Sequence, residues 1–540
     1  MHGLMQSWPL TVDKILDRAK TWSASREVVT RSLEGPIVRS TYADIHTRAK
    51  KFSAALLAMG IKPGDRVATL AWNTGRHLEV WYGVMGIGAV CHTVNPRLFA
   101  DQICYIINHA QDRVVIADAT FAPFLMQHKD KLPSVERFVI LADEDRAGDH
   151  PGMIAYETLI AQHAPDAQWG AFDENTAAGL CYTSGTTGDP KGVLYSHRSN
   201  VLHTYMTLQA DGFGLTQSDT VLPVVPMYHA NAWGIAFSAP AVGAKLVMPG
   251  AKMDGASIHE LLETEGVTFS AAVPTVWQGL LQHLRATKSP LTSLKRVVIG
   301  GAACPPALIR AFHDEFGVEV MHAWGMTEMS PTGVFCSMPL ELKDASFEDQ
   351  LPIRAKQGRP LYGVDITLED DEGQPLPHDG VTFGHLLVRG PSVVEGYYRQ
   401  AGKVVDERGF FDTGDIATID HNGMVQITDR AKDVIKSGGE WISSVELENH
   451  GVGHAAAEIV AVIGVAHPTW DERPLMIVKL RPGESATRED FLAHMQDKVA
   501  KWWLPNDVVF VDDIPLGATG KIDKKALRDQ FKDYRFPDCR

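Results

Sequence analysis

Between about residues 60 and 330, short runs rich in β-branched residues alternate with stretches of helical spacing. Arg66–Leu70, Arg113–Ala117, Phe138–Leu141, Thr220–Leu222, Lys245–Met248, Thr268–Ser270 and Arg296–Ile299 read as strands. Alternation of this kind predicts α/β layers in which helices cover the sheets. From about 350 to 430, Gly, Asp and β-branched residues dominate, which predicts a smaller β-rich subdomain. The chain has no fixed-period repeat and no low-complexity tract.

The pattern changes again in the tail. Ser443-Ser444-Val445-Glu446 fits a capping box that opens a helix, with Ser443 as N-cap. Glu458–Val465 and Leu475–Leu480 read as strands, and Phe491, Leu492, Met495, Val499 and Trp502 form an apolar stripe at helical spacing. The expectation is therefore an α/β protein of two domains. A large layered one spans 1–430 and includes the β-rich subdomain; a small α+β one spans 431–540.

With 540 residues, 45% of them hydrophobic, the chain can bury sizeable cores. Its formal net charge of -15 argues against nucleic acid or an anionic membrane surface as the main partner, since both would repel it. The apolar stretch near Val80–Val94 is interrupted by Gly83, Gly86 and Gly88 and falls short of the roughly 20 residues of a membrane span. The N-terminus lacks a basic segment followed by a long apolar one, so no secretory signal is expected. Cys91, Cys104, Cys181, Cys304, Cys336 and Cys539 show no Cys-x-x-Cys spacing and read as reduced thiols, which predicts a cytoplasmic protein. No His-x-x-x-His or Glu-x-x-His pair is expected in a helix, so no dedicated transition-metal site is predicted.

Candidate chemistry centres on Tyr182-Thr183-Ser184-Gly185-Thr186-Thr187-Gly188-Asp189-Pro190-Lys191-Gly192. Glycines let backbone N–H groups approach phosphate oxygens, the hydroxyls of Thr183, Ser184, Thr186 and Thr187 add donors, and Lys191 adds a positive charge. The spacing is not that of a Walker A loop. A Ser/Thr/Gly surface turn would look similar, but the apolar run Ala178–Cys181 reads as a buried strand delivering this loop. Four further segments follow in order: His322-Ala323-Trp324-Gly325-Met326-Thr327-Glu328, Phe411-Asp412-Thr413-Gly414-Asp415, the stretch from Asp429 to Glu440, and Gly520-Lys521.

Taken in this order, the five segments resemble the acyl-adenylate-forming superfamily, and the resemblance covers nearly the whole chain. It implies an ATP-dependent, AMP-forming acid–CoA ligase with ATP, CoA and Mg2+, a small carboxylic acid as substrate, a mobile C-terminal domain and a homodimeric state. Thr183 and Glu328 would hold the magnesium, a cation suited to a carboxylate, phosphate oxygens and water. Ser184, Gly185, Thr186, Thr187, Gly188 and Lys191 would hold the β- and γ-phosphates. Adenine would lie near Gly300, Gly301, Ala302 and Ala303 and the face of Trp324, where the family more often has tyrosine. His322, Ala323, Gly325, Met326 and Thr327 would complete that side. Asp415 would accept the ribose hydroxyls with Arg430 beside it. Lys521 would be the catalytic lysine of adenylation, although Gly517 departs from the Thr or Asn often seen in that turn; Lys524 and Lys525 read as ordinary solvated lysines. Lys432 matches the hinge about which the small domain turns. Lys436, Gly438, Gly439, Glu440 and Trp441, joined by Glu472, would form the face used for thioester formation.

Pro226-Met227-Tyr228-His229-Ala230-Asn231-Ala232-Trp233 resembles the pocket-opening segment of fatty-acyl-CoA synthetases. By that resemblance His229 is at the active site and Trp233 gates or walls the acyl pocket, with Gly300 and Pro331 close to the acid. Trp233, Trp324, Met326 and Met329 suggest an apolar, polarizable pocket. The segments 92–98 and 436–444 resemble both the bacterial medium- and long-chain fatty acid ligases and the methylmercaptopropionate-CoA ligases of dimethylsulfoniopropionate breakdown. The expected acid is 3-methylmercaptopropionate or a similar short or medium-chain acid, with a medium- or long-chain fatty acid as the alternative. No acidic residue stands near Trp233 to pair with an amino group, and no carrier domain is expected after Arg540. A carrier-loading module is thereby disfavoured, and the presence of both Lys521 and Glu328 disfavours a non-catalytic nucleotide binder.

Overall fold

Val67–Leu70, Val114–Ala117 and Phe269–Ala272 are buried along their length, which fits central parallel strands covered on both faces. A computed structural model describes all residues except 2, 144–149, 151, 184–188, 439, 497, 517–521 and 538–540. Among the described residues the strands gather into four sheets. The seven-stranded sheet runs in the order Ile154–Ala155, Arg137–Ile140, Val114–Ala117, Arg66–Leu70, Val90–Thr93, Ala177–Tyr182, Gly192–Ser196. A nine-stranded sheet runs from Arg359–Pro360 through Thr332–Phe335, Glu319–Gly325, Arg296–Ile299, Phe269–Ala272, Thr220–Pro223, Lys245–Met248 and Glu27–Arg31 to the edge strand Ile37–Thr41.

Helices between the strands begin where a side chain satisfies free N–H groups. Thr41 and Asp44 form a capping box for the helix Tyr42–Ala58, and the Ser196 hydroxyl caps His197–Thr207. The helix Gly75–Gly86 and the strand Val90–Thr93 divide the apolar stretch near Val80. Among the described residues no helix is long and apolar enough to cross a membrane.

The β-rich segment is an antiparallel sheet of Asp365–Glu369, Gly384–Arg389, Phe411–Ile419 and Val425–Arg430. The fourth sheet orders Glu440–Ile442, Ile435–Ser437, Asp471–Leu480 and Ala457–His467, with Asp507–Phe510 parallel to Asp471–Leu480. It has cores of its own on both faces, around Val462 and Phe491 on one side and Ile463 and Leu527 on the other.

Several sequence expectations for the tail are corrected. Ser443 does cap the helix Ser444–Val452, its Oγ accepting from the Glu446 N–H at 3.1 Å, but the reciprocal half of a capping box is not formed. The stripe from Phe491 to Trp502 is not one helical face: the helix Arg488–Met495 stops after Met495, and a 3-10 turn over Lys501–Trp503 buries Trp503 while leaving Trp502 44% exposed. His450 and His454 do stand four residues apart across the end of the helix Ser444–Val452, contrary to the expectation of no such pair. His454 stacks on Phe491 at 4.2 Å between ring centroids, and among the described residues no group of three His, Cys, Asp or Glu is arranged to hold a metal.

Burial pushes the imidazoles of His77, His203 and His322 down to about 4. Histidines of the unfolded chain bind protons near pH 6.5, so as pH falls through that window the unfolded state takes up protons that the folded state refuses. Stability is present above the unfolded value and is lost on acidification. Each histidine is expected to cost on the order of 2 kcal/mol at about pH 5. Urea unfolding at neutral pH and near pH 5 reads the effect; equal midpoints would contradict it.

Candidate active site

The candidate segments of the two large sheets follow the carboxyl ends of parallel strands, where open α/β sheets place ligands. Glu319–Gly325, Arg296–Ile299, Phe269–Ala272 and Thr220–Pro223 are parallel neighbours, and they deliver the turns with Trp324 and Glu328, with Gly300–Ala303, and with His229 and Trp233. From the other large sheet, Ala177–Tyr182 runs parallel to Val90–Thr93 and leads into the glycine-rich loop.

That loop is closed by a hairpin. Tyr182 pairs with Gly192, the Thr183 N–H donates to the Lys191 carbonyl at 2.9 Å, and the Lys191 N–H donates to Thr183 Oγ1 at 3.3 Å. Ser184, Gly185, Thr186, Thr187 and Gly188 lie outside the described residues. Lys191 is exposed, with its Nζ 4.9 Å from the centroid of the Tyr397 ring. The Tyr397 hydroxyl donates to Glu328 Oε1 at 2.8 Å, and burial together with that carboxylate pushes the phenol pKa well up, so it stays a donor. Glu328 sits in the short turn Thr327–Met329, where the Tyr195 hydroxyl holds the Thr327 carbonyl at 2.7 Å and the Val394 N–H holds that of Glu328 at 2.8 Å. The structure thus joins Lys191 to Glu328 through Tyr397, a residue that the sequence reading missed. The only trace in the sequence is an aromatic pair, Tyr397-Tyr398, after Gly396 in a loop.

A second group forms around Asp415, which is buried. Its Oδ2 accepts from the Trp324 indole N–H at 2.9 Å, and its Oδ1 faces Arg430 Nε at 2.9 Å. Asp415 and Arg430 are cross-strand partners, so strand register sets this pairing. Arg430 also donates to the Thr413 carbonyl at 3.3 Å. His322 is inside the packing rather than at the surface, its Nδ1 2.9 Å from the Ala355 carbonyl oxygen.

A third group is apolar. Ala230, Asn231, Ala232 and Trp233 all have φ between 44° and 55°, a left-handed run without glycine that ends at Gly234. Such backbone costs roughly 1–2 kcal/mol per residue and persists only where its surroundings fix it. Here the Asn231 amide donates to Asn200 Oδ1 at 3.3 Å, and Trp233 is laid against the Gly300 turn. A methyl at Gly300 would come within 3.2 Å of Trp233 Cη2 and 2.8 Å of the Ala323 carbonyl, so only glycine fits beneath this indole. Gly301, at φ +77°, and Ala302 are exposed at the lip, with Ala303 half-buried behind them. Gly325 and Met326 continue to Pro331, whose carbonyl accepts from the Met326 N–H at 3.0 Å; the Ser330–Pro331 peptide is cis. His229, half-buried, stands at the head of the left-handed run.

The remaining candidates belong to the C-terminal sheet. Lys436 and Trp441 are cross-strand partners, with Lys436 Nζ 5.4 Å from the Trp441 ring centroid. They pack on the four-stranded sheet: Lys436 pairs with Asp371 at 3.8 Å, and Trp441 meets His385 edge-on. Gly438, at φ +62°, lies against Trp470, and a Cβ there would approach that indole to 2.8 Å. Glu472 Oε2 accepts the Lys436 N–H at 3.1 Å, and the Glu440 backbone pairs with Ser437. Burial lowers the pKa of Lys432, with Arg528 and Arg430 adding to the effect against Asp433. Gly439, Gly520 and Lys521 lie outside the described residues. Lys524 contradicts its reading as a solvated lysine: its side chain is 11% exposed and its Nζ is 2.9 Å from Glu448.

The chain matches the AMP-binding enzyme family over residues 17–398 and the AMP-binding enzyme C-terminal domain over residues 446–521. It is 48% identical over 536 residues to a 3-methylmercaptopropionyl-CoA ligase of Ruegeria lacuscaerulensis, covering 99% of each chain. A medium-chain-fatty-acid–CoA ligase of Ectopseudomonas oleovorans is also 48% identical, with 99% of this chain and 98% of that protein covered. Among solved structures, an anthranilate CoA ligase in complex with anthranoyl-AMP shares the fold with a TM-score of 0.86 at 24% identity, over 97% of this chain and 99% of its own. ATP-bound MatB from Rhodopseudomonas palustris gives 0.82 at 25% identity, over 97% and 99%. Likeness of this extent, spanning the loops at both large sheets and the C-terminal unit, shows that the chain belongs to the AMP-binding enzyme family.

Proposed function

We propose that the protein is an ATP-dependent, AMP-forming acid–CoA ligase acting through an acyl adenylate, on 3-methylmercaptopropionate or a similar short to medium-chain acid. The observation that carries this reading is that Lys191, Tyr397 and Glu328 form one contiguous group and Trp324, Asp415 and Arg430 another, linked by the short chain segment from Trp324 to Glu328. A polyphosphate and a ribose would be held at the two ends of one nucleotide.

A carboxylate is a poor acyl donor because oxide is a poor leaving group. In the first step its oxygen attacks the α-phosphorus of ATP; the new O–P bond forms as the bond to the β-phosphate bridge breaks, and pyrophosphate leaves with that electron pair. Thr183, residues 184–188 and Lys191 hold the β- and γ-phosphates, and Lys521 stabilises charge that develops between the carboxylate and the α-phosphate. Magnesium suits the oxygen donors available, one buried carboxylate and one hydroxyl, with phosphate oxygens and water completing the shell; Glu328 and Thr183 would hold it. When bound, it would draw negative charge from the phosphates. In the second step the CoA thiolate attacks the acyl carbon and AMP leaves. Lys436, Gly438, Gly439, Glu440, Trp441 and Glu472 serve that step after the unit from residue 431 onward turns about Lys432. The separate cores of the C-terminal sheet support such a turn as a body.

The relatives named for 3-methylmercaptopropionate and for medium-chain fatty acids bracket the acid. Trp233 against Gly300 favours the short end. Trp233→Ala is therefore expected to open a cavity, weaken short acids that rely on the indole, and shift preference toward longer ones. CoA-dependent AMP release across acids of graded length reads this. A wild-type preference for acids of about ten carbons or more would overturn the short pocket.

A further inference from the structure

Three residues beyond Lys521 begins the helix Lys524–Gln530, and its first side chain turns inward. Lys524 Nζ lies 2.9 Å from Glu448 Oε1 and also donates to Ser444 Oγ. The same Glu448 oxygen accepts the Val462 N–H at 2.8 Å, which fixes the carboxylate to the strand Ala457–His467 of the C-terminal sheet. Ser444, the first residue of the neighbouring helix, donates from both its N–H and its hydroxyl to Asp429 Oδ2. Asp429 is buried and belongs to the strand Val425–Arg430 of the other sheet. One turn further along the C-terminal helix, Arg528 pairs with Asp433. The contacts therefore run from the helix after Lys521 to both sides of Lys432.

The residues on either side of 517–521 pair with each other. Leu516 bridges Ile522, and the Asp523 N–H donates to the Pro515 carbonyl at 2.9 Å. Asp523 then caps the helix by accepting from the Ala526 N–H at 3.1 Å, and Leu527 is buried.

A lysine at a helix start normally keeps much of its side-chain freedom in water. Burial opposes the Lys524 charge, but Glu448 and Asp429 outweigh it and the pKa is raised, so the ammonium stays protonated. Buried ion pairs give little net stability compared with an apolar replacement; their effect is to restrict geometry, because a displaced charge finds no other partner. We propose that Lys524 is a positioning residue for adenylation: through Ser444 and Glu448 it ties the Lys521 turn to Asp429 beside the Lys432 joint. Resting on the reading that Lys521 acts in adenylation, the assignment gives Lys524 no contact with substrate and the role of anchoring the segment that follows Lys521.

The test separates the half-reactions in the full-length protein. Lys524→Met is expected to lower acid-dependent ATP–pyrophosphate exchange at least about tenfold and to keep thioester formation from preformed acyl adenylate within about threefold. Glu448→Gln should show the same asymmetry, and the double variant should be no worse than Lys524→Met alone, because both changes break one contact. Equal losses in both half-reactions, additive losses in the double variant, or exchange within about twofold of wild type overturn the proposal. If Lys524→Met does not accumulate as folded protein, Glu448→Gln decides by the same split. Lys521→Ala, measured alongside, keeps the two readings apart: an inactive Lys521→Ala with a fully active Lys524→Met refutes the positioning role alone, and an active Lys521→Ala refutes the reading beneath it.

Discussion

Lys521→Ala is expected to lower acyl-adenylate formation about 100-fold or more while leaving ATP affinity largely intact. The asymmetry follows from when the charge is needed. On the proposed assignment, Lys191 and the glycine-rich segment would already hold the phosphates in the resting complex, whereas the charge between the attacking carboxylate and the α-phosphorus exists only during transfer. An ammonium placed there acts on the transition state and contributes to kcat rather than to the nucleotide KM. Preformed acyl adenylate supplied to the variant should restore much of the thioester activity, since the second step does not use this lysine. Adenylate formation at close to the wild-type rate would remove Lys521 from its assigned role.

Asp415→Ala is expected to produce the opposite split, raising the KM for ATP about 10- to 100-fold with a smaller change in turnover. Asp415 receives the Trp324 indole N–H and faces Arg430, and on the proposed assignment its carboxylate would also accept a ribose hydroxyl. Removing it would take away the proposed ribose acceptor and leave the indole N–H without this partner. Arg430 is 45% exposed on its side chain, so water compensates much of its loss. A KM for ATP within twofold of wild type would place the ribose elsewhere.

The contrast between these residues shows what could be read from order alone. The strands Arg66–Leu70, Lys245–Met248 and Arg296–Ile299 fall where the β-branched runs stand, because burial in a parallel sheet demands such runs. Ser443 caps its helix as its sequence neighbourhood suggests, since a cap is a local contact. The buried strand expected before the glycine-rich segment is present, and the hairpin that pairs Tyr182 with Gly192 follows from it.

Contacts between distant segments left little trace. Tyr397 meets Glu328 and Lys191 across long stretches of chain, and the aromatic pair it forms with Tyr398 does not point to either partner. Lys524 looks solvated because lysine usually is; its partners, Glu448 and Ser444, come from a helix about 80 residues earlier. Of the apolar stripe, Phe491, Leu492, Met495 and Val499 pack in the core of the C-terminal sheet, but Trp502 does not, because helical spacing persists on paper after the helix has ended at Met495. The left-handed run at Ala230–Trp233 is also invisible in sequence, since three of its four residues have no special tolerance for positive φ.

The central claim is that acid activation proceeds through AMP and ends in a CoA thioester. Purified protein incubated with ATP, magnesium, CoA and 3-methylmercaptopropionate should release AMP, pyrophosphate and acyl-CoA in equal amounts, with AMP release dependent on the acid. Formation of ADP and orthophosphate, or nucleotide turnover without any thioester across acids of graded length, would contradict the account.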